Sequence, residues 1–298
     1  VCSDPDLVKF GVTKKVTDVL EAAGFDYELY SNIKPNPTIE NVQSGVAAFQ
    51  AANADYIIAI GGGSSMDTAK GVGIIIANPE FADVRSLEGA VDTPNKSIPI
   101  LAVPTTAGTA AEVTINYVIT DVEKNRKMVC VDPHDIPVVA FVDPDMMSSM
   151  PKGLTAATGM DALTHAVEAY IGGSTTKETR AMAEEAVCLI HEHLKNAYDN
   201  GHNKEARKGM LRAAYCAGVA FTKSYVGYIH AVAHSLGGQY GTPHGLANAV
   251  ILPIVLRIYG PDCEKKLGTL ARNTGVAKPE MDDAKATQCF IDWIQKMN

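Results

Sequence analysis

The spacing of apolar and polar positions divides the chain into two parts. In the first part, apolar residues recur at helical spacing in some segments and form short continuous runs in others. The predicted elements are helices at 13–23, 38–52 and 64–77 and strands at 27–30, 55–60 and 98–103. Continuous apolar strands are typical of parallel sheets buried on both faces. Helices that alternate with such strands predict an α/β domain with a parallel sheet.

Beyond Met150-Pro151-Lys152-Gly153 the strand pattern ends and only helical spacing remains. Helices are predicted at 154–171, 178–199, 204–222, 226–238 and 246–258. We therefore predict an all-helical second domain over residues 151–298, after an α/β domain over residues 1–150. Two domains also suit a chain of 298 residues, because single domains commonly have ~100–200 residues.

The composition narrows the range of functions. Hydrophobic residues make up 46% and charged residues 20%, which excludes a disordered chain. A net charge of −8 argues against binding to nucleic acid or to anionic membranes. No apolar run reaches the ~18–20 residues of a membrane span. Six cysteines without a CxxC motif are typical of reduced thiols, so we expect a cytoplasmic protein.

Two loops that follow predicted strands are candidates for nucleotide binding. Gly61–Gly63 leads into a helix for which Ser64 is the predicted cap, with Asp67 completing a capping box. Glycines and a helix N-terminus suit a phosphate group, although a tight turn without a ligand has the same pattern. The loop 104–112 offers small hydroxyl residues, which suit phosphate or ribose as well as an ordinary polar loop. Together the two loops favour a dinucleotide.

Carboxylate and imidazole side chains recur at helical spacing in the second part of the chain. Asp161 and His165 lie four residues apart, as do His230 and His234, and His244 follows ten residues later. A single histidine in an apolar helix is more often a core residue with a hydrogen-bond partner. Several buried polar groups together are costly unless they share a ligand, so the pattern predicts a divalent metal site. The spacing leaves open which histidines bind and whether the metal is Fe²⁺, Zn²⁺ or Mn²⁺.

Four segments carry a resemblance to a known family. They are IAIGGGSSMDTAK at 58–70, PTTAGTAAEVT at 104–114, GMDALTHAVEAY at 159–170 and HAVAHSLGGQYGTPHGLANA at 230–249. By their order and spacing the whole chain resembles the iron-dependent (group III) alcohol dehydrogenases, whose architecture is dehydroquinate synthase-like. Residues 31–172 are most similar to the lactaldehyde reductase (propanediol oxidoreductase) subgroup, and 175–260 to other short-chain alcohol dehydrogenases.

The resemblance implies a role for individual residues. The implied metal ligands are Asp161, His165, His230 and His244, and the implied catalytic residue beside the nicotinamide is His234. The implied cofactor contacts are Asp4, Asn36, Gly62, Gly63, Ser64, Asp67, Thr105, Thr106, Thr109 and Lys127. The implied substrate-pocket residues are Asn116 and Phe221. A carboxylate at Asp4 favours NAD(H) over NADP(H), because it repels a 2′-phosphate. The family's first strand is expected before Val1, and its last helices after Asn298.

The implied function is hydride transfer between NAD(H) and a short-chain alcohol or diol, such as the pair lactaldehyde and 1,2-propanediol. The implied metal is Fe²⁺, with Zn²⁺ as the alternative, and the implied assembly is a homodimer. One alternative is a glycerol-dehydrogenase-like polyol oxidoreductase that uses zinc. The other is a non-catalytic nucleotide-binding module of a larger assembly.

Overall fold

The computed structural model describes every residue from Val1 to Asn298. The chain divides into two compact units. The first unit comprises Val1–Thr106 and Ala111–Met146, and the helical unit comprises Ala107–Ala110 and Met147–Asn298. Each unit has a hydrophobic core of its own.

The first unit is built on a parallel sheet. Its strands are β1 (Cys2–Ser3), β2 (Ile57–Gly61), β3 (Gly89–Ala90), β4 (Ile100–Pro104), β5 (Asn116–Asp121), β6 (Arg126–Val131) and β7 (Val139–Ala140). Its helices are α1 (Pro5–Lys9), α2 (Lys14–Ala22), α3 (Ile39–Ala51) and α4 (Gly63–Ala77). The main sheet has the strand order β1-β2-β4-β7 with all pairs parallel, and a smaller sheet has the order β3-β6-β5. The prediction of an α/β domain with a parallel sheet is confirmed.

Two local predictions in this unit are wrong. Residues 27–30 form no strand, and only Tyr30 makes an isolated bridge to Cys2, since the adjacent edge strand β1 has two residues. Helix α4 begins one residue before Ser64, with Gly62 as its N-cap and no side-chain cap. The expected capping box is absent because the Asp67 carboxylate accepts a hydrogen bond from Val118 N, at 3.1 Å, on strand β5.

The predicted cap at Thr38 is present. The Thr38 hydroxyl accepts a hydrogen bond from Asn41 N at 3.3 Å, and Asn41 Oδ1 accepts one from Thr38 N at 3.0 Å. This reciprocal pair satisfies two of the amides that a helix leaves free at its start. Helix α3 therefore begins where the sequence predicts.

The second unit is all-helical, as predicted. Its helices are α5 (Lys152–Ile171), α6 (Lys177–Asp199), α7 (Lys204–Ser224), α8 (Tyr228–Tyr240), α9 (His244–Tyr259), α10 (Pro261–Asn273) and α11 (Asp283–Met297). Helix α5 is buried without interruption from Gly159 to Tyr170, because α6, α7 and α9 pack around it. No single helix has the length and apolar composition of a membrane span, and the sharply bent pair α9–α10 meets those criteria only when its two helices are combined.

Candidate metal centre and nucleotide-binding loops

Buried polar side chains on α5 have their partners on α8 and α9. Asp161 Oδ1 lies 3.7 Å from His230 Nε2 and 3.3 Å from His244 Nε2. One ligand atom from each of these three residues lies within 4.8 Å of the other two. Asp161 and His230 are buried, and His244 is partly exposed. Three helices thus bring one carboxylate oxygen and two imidazole nitrogens to one point.

Asn248 lies at the centre of this group. Its amide Nδ2 donates to Asp161 Oδ1 at 2.7 Å and lies 3.2 Å from Nε2 of both His230 and His244. The side chain is fully buried, and its own Oδ1 has no hydrogen-bond partner. The three acceptor atoms therefore converge on an electropositive N–H group, which is how donors around a cation are arranged.

Glu168 makes an outer contact with the group. Its Oε2 accepts from His230 Nδ1 at 2.5 Å, and its Oε1 accepts from Ile229 N at 2.8 Å. The sequence analysis missed both Glu168 and Asn248. Helical spacing carried the signal, because Glu168 follows Asp161 by seven residues on a buried helix and Asn248 follows His244 by four.

The other predicted residues of the helical unit lie around the same group. The His165 ring stacks between Phe221, at 4.1 Å, and His230, at 4.4 Å between centroids. His165 Nδ1 lies 4.0 Å from Asp161 Oδ2 and has no hydrogen-bond partner. The ring of His234 packs edge-on against His244 at 4.9 Å. His165 is outside the converging triad, and His234 adjoins it.

Burial and neighbouring charges shift the pKa values of the residues in this cluster. Burial opposes ionisation of Asp161, but the charges of His165 and His244 and the close approach of the His230 and His244 rings hold its pKa well below its usual range. Burial lowers the pKa of His165 to about 3. Burial also lowers the pKa of His230, but the neighbouring carboxylates of Asp161 and Glu168 outweigh it and raise the pKa to about 9. The ionised Asp161 and the neutral His165 match the ligand forms that a divalent metal requires, whereas His230 must release a proton when a metal binds.

The donor set fits a divalent transition metal. Two imidazoles and one carboxylate form the set typical of non-haem Fe²⁺ sites, and Zn²⁺ accepts the same donors. The unpartnered His165 Nδ1 and the N–H at the focus of the three acceptors are the observations that support this fit. The burial of the cluster points the same way, since such groups are costly to bury without a ligand or partner.

The glycine turn in the first unit has the form of a phosphate-binding loop. Gly61 has a φ of 152°, and a Cβ there would lie 2.3 Å from Ser65 Oγ. Thr105 N donates to Gly61 O at 3.0 Å, which fixes the second predicted loop beside the first. A Cβ on Gly62 would lie 3.0 Å from the Thr106 side chain. Helix α4 starts here without a side-chain cap, so its first amides are free for an anion.

The remaining predicted nucleotide contacts are dispersed within this unit, and one lies outside it. Asp4 Oδ1 caps helix α1 by accepting from Leu7 N at 2.9 Å. The carbonyl of Asn36 accepts from Thr120 Oγ1 at 3.4 Å, and Lys127 is paired with Thr120 across the β5–β6 hairpin. Asn116, which was predicted for the substrate pocket and not for the nucleotide, is the first residue of β5. Thr109 belongs to the helical unit.

Comparison with known proteins identifies the family. The family model "Iron-containing alcohol dehydrogenase" matches residues 1–144, and the model "Fe-containing alcohol dehydrogenase family, C-terminal" matches residues 155–298. The chain belongs to the iron-containing alcohol dehydrogenase family. It is therefore an oxidoreductase of the alcohol dehydrogenase type, and the family predicted from four motifs is confirmed.

Several members of the iron-containing alcohol dehydrogenase family are similar to this chain in sequence and in structure. Lactaldehyde reductase of Escherichia coli (strain K12) is 50% identical over 298 residues, which are all of this chain and 78% of that protein. The crystal structure of a 1,3-propanediol oxidoreductase has a TM-score of 0.94 at 40% identity and covers 99% of this chain and 77% of its own. Sulfoacetaldehyde reductase from Bifidobacterium kashiwanohense, in complex with NAD⁺, has a TM-score of 0.88 at 30% identity, over 99% and 76%. The predicted architecture is confirmed by these structures.

Proposed function

We propose that this chain transfers a hydride between NAD(H) and a short-chain alcohol or its aldehyde, with Fe²⁺ as the resident metal. The observation that carries the proposal is the convergence of Asp161, His230 and His244 on one point inside the helical unit. The proposed substrate pair is lactaldehyde and 1,2-propanediol, supported by the 50% identity to a lactaldehyde reductase. The proposed NAD(H) dependence is supported by the NAD⁺ complex of a relative.

The proposed metal ligands are Asp161, His165, His230 and His244. When bound there, Fe²⁺ supplies Lewis-acid polarisation of the alcohol or carbonyl oxygen. The chain's own contribution is to hold the ligands in place. Helix α5 holds Asp161 and His165, and α8 and α9 supply one further ligand each.

His234 is the proposed proton carrier. It lies one helical turn after His230 and packs against His244, so it adjoins the ligand group without belonging to the converging triad. An imidazole exchanges a proton near neutral pH, which suits the transfer of the alcohol proton away from the reacting oxygen. Phe221, stacked on His165, is the proposed apolar wall of the substrate site. Asn116 is a further proposed substrate-pocket residue, on the resemblance to the family alone.

The proposed NAD(H) contacts lie mainly in the first unit. Gly62 is the N-cap of α4, and Gly63 and Ser64 are its first two residues. The free backbone amides at this helix start suit a pyrophosphate. The other proposed contacts are Asp4, Asn36, Asp67, Thr105, Thr106, Thr109 and Lys127. The second oxygen of the Asp4 carboxylate is the proposed acceptor for the adenosine ribose hydroxyls, and its charge favours NAD(H) over NADP(H).

The proposal is tested by NADH oxidation with lactaldehyde. Protein prepared without oxygen is stripped of metal and reloaded with Fe²⁺ or Zn²⁺ in parallel. We expect turnover with Fe²⁺, loss of turnover in His230→Ala with NADH binding retained, and wild-type turnover in the control His202→Ala, whose side chain is exposed. Turnover that persists in His230→Ala would contradict the ligand assignment.

The same metal-reloaded protein separates the two alternatives. Reduction of NAD⁺ by glycerol with Zn²⁺ but not with Fe²⁺ would favour the zinc polyol oxidoreductase. Tight NADH binding without turnover under either metal would favour the non-catalytic module.

We also propose a homodimer and a cytoplasmic location. The homodimer rests on the resemblance to the family, and sedimentation analysis of the purified chain tests it. The cytoplasmic location is supported by six free thiols, four of which are buried. Disulfides are rare in the reducing cytosol, whereas secreted chains usually pair their cysteines.

A further inference from the structure

One carboxylate joins helix α5 to the start of helix α8. Glu168 is 3% exposed and uses both oxygens, one on His230 Nδ1 at 2.5 Å and the other on Ile229 N at 2.8 Å. It lies on the same helix as Asp161, which faces the other ring nitrogen of His230. Each ring nitrogen of His230 thus faces a carboxylate of helix α5.

Helix α8 depends on Glu168 for its N-terminal cap. The N-cap residue is Gly227, which has no side chain to accept from the first amides. Glu168 Oε1 accepts from Ile229 N, the second residue of the helix, and places a negative charge at the positive end of the helix dipole. A Cβ on Gly227 would lie 2.8 Å from Glu168 Oε1, so the glycine leaves room for the carboxylate. The start of the helix that carries His230 and His234 is held from α5.

The contact with Nδ1 also decides which nitrogen of His230 is free. An ionised carboxylate only accepts hydrogen bonds, so in the neutral imidazole, the form that binds a metal, the remaining proton lies on Nδ1. The lone pair is then on Nε2, the atom that faces Asp161 Oδ1 at 3.7 Å. Carboxylates in this outer position fix the tautomer and ring orientation of metal-binding histidines.

We propose that Glu168 is the positioning residue of the metal centre, which holds His230 in the ring orientation and tautomer that bind the metal. This inference rests on the proposed function, in which His230 is a ligand. Glu168 is assigned no contact with substrate or NAD(H). Its effect is exerted through His230 and through the start of α8.

The test is the metal affinity of Glu168→Gln, measured with Zn²⁺ by competition with a chromophoric chelator. Glutamine has the same shape, and its oxygen can keep the bond from Ile229 N. Its NH₂ group then faces His230 Nδ1 and moves the imidazole proton to Nε2, which removes the lone pair. We expect Zn²⁺ affinity to fall by about 10- to 100-fold, the range seen for lost outer partners. The melting temperature of the metal-free protein should stay close to that of the wild type.

A purely structural role of Glu168 predicts the opposite result. If the amide turned its oxygen to His230, two N–H groups would meet at Ile229, and the melting temperature would fall with metal affinity unchanged. That outcome, or unchanged affinity with unchanged stability, overturns the inference. ¹⁵N NMR of the histidine ring in the Zn²⁺-treated proteins reports the tautomer directly. We expect the Nδ1–H form of His230 in the wild type and its loss in Glu168→Gln.

Two further variants separate the possible failures. Glu184→Gln is the matched control, because Glu184 is a half-buried glutamate of the same unit whose carboxylate accepts from Tyr170 Oη at 2.9 Å. It should bind Zn²⁺ as the wild type does. If His230→Ala loses Zn²⁺ while Glu168→Gln retains it, only the role of Glu168 is refuted. If both variants retain Zn²⁺, the ligand assignment of the proposed function fails as well.

Discussion

At the scale of single residues, the first unit contains a buried charged group that the sequence analysis missed. Lys70 is fully buried, and its ammonium donates to Thr114 O at 2.5 Å and to Asn116 O at 3.0 Å, with Asp135 Oδ1 at 3.5 Å. These three oxygens match the three donors of an ammonium group. Lys70 therefore ties helix α4 to the beginning of strand β5, one turn after Asp67 ties it to Val118. Because Asp135 is buried beside this ammonium group, the stability of the first unit should depend on pH.

Asp135 should make the stability of the first unit depend on pH. Burial raises its pKa to about 7 from 3.8, although the charge of Lys70 opposes the shift. Because the folded state holds the proton more tightly than the unfolded state, this group's contribution to the unfolding free energy falls as pH rises from about 4 to about 7. The advantage of the wild type over Asp135→Asn should therefore shrink between pH 5 and pH 8, by at most about 1.4 kcal/mol per pH unit.

Urea unfolding of both proteins at several pH values measures this difference. Asp26→Asn, at an exposed position, is the matched control and should differ from the wild type by a constant amount. A constant difference for Asp135→Asn as well would show that its carboxyl titrates alike in the folded and unfolded states.

At the scale of elements, the metal centre depends on how closely α9 approaches α5. A Cβ on Gly245 would lie 2.3 Å from the carbonyl oxygen of Ala157, so only a glycine allows the two backbones this contact. Gly245 immediately follows His244 and precedes Asn248 by three residues. The spacing of the donor atoms is therefore set by a residue that has no ligand atom of its own.

Gly245→Ala should weaken metal binding without altering any ligand. The added methyl group must push α9 away from α5, which moves His244 relative to Asp161. We expect at least a tenfold loss of Zn²⁺ affinity in the chelator assay, together with a lower melting temperature. Gly153→Ala is the control, because it lies on α5 with nothing within 4 Å of the new methyl group. It should keep full affinity and gain about 0.5–1 kcal/mol from the loss of glycine entropy in a helix. Equal affinity in the two variants would contradict the argument.

The elements also show what the sequence could and could not predict. Helical spacing predicted α5 and placed Asp161 and His165 on one of its faces, because that periodicity is local. The predicted capping box of α4 was wrong because the Asp67 carboxylate accepts a hydrogen bond from Val118 N, a partner 51 residues away. The hairpin β5–β6 was missed although residues 117–120, Tyr-Val-Ile-Thr, are types enriched in strands, so the sequence does carry a signal for β5. Helical spacing places Glu168 and Asn248 on the same faces as Asp161 and His244, but their contacts with His230 and Asp161 on neighbouring helices are visible only in the folded structure.

At the scale of the whole molecule, the two units have separate cores, and the proposed ligand sites for metal and for most of the nucleotide lie in different units. The single tryptophan, Trp293, belongs to the helical unit and packs against its core beside Phe290. Its fluorescence therefore reports the unfolding of the unit that contains the metal centre.

Metal loading should raise the unfolding midpoint that Trp293 reports. A ligand that binds only the folded state adds about 2.7 kcal/mol when its concentration is a hundred times the Kd. We expect a clear upward shift with Zn²⁺ in urea unfolding and almost none with Ca²⁺, which prefers oxygen donors. In His230→Ala the shift should disappear. The same midpoint with and without Zn²⁺ in the wild type would show that the cluster does not hold the metal in the folded unit.

The distribution of the donors over α5, α8 and α9 has a consequence for the synthesis of the protein. Asp161 leaves the ribosome 87 residues before its partner Asn248, which lies in the first turn of α9 together with His244. At about 5–20 residues per second, about 4–17 s pass between the two. During that interval the carboxylate of Asp161, which is buried in the folded protein, lacks its partners on α9. The metal centre is therefore completed only after α9 has been synthesised, and a nascent chain that ends before α9 lacks the means to hold the ion.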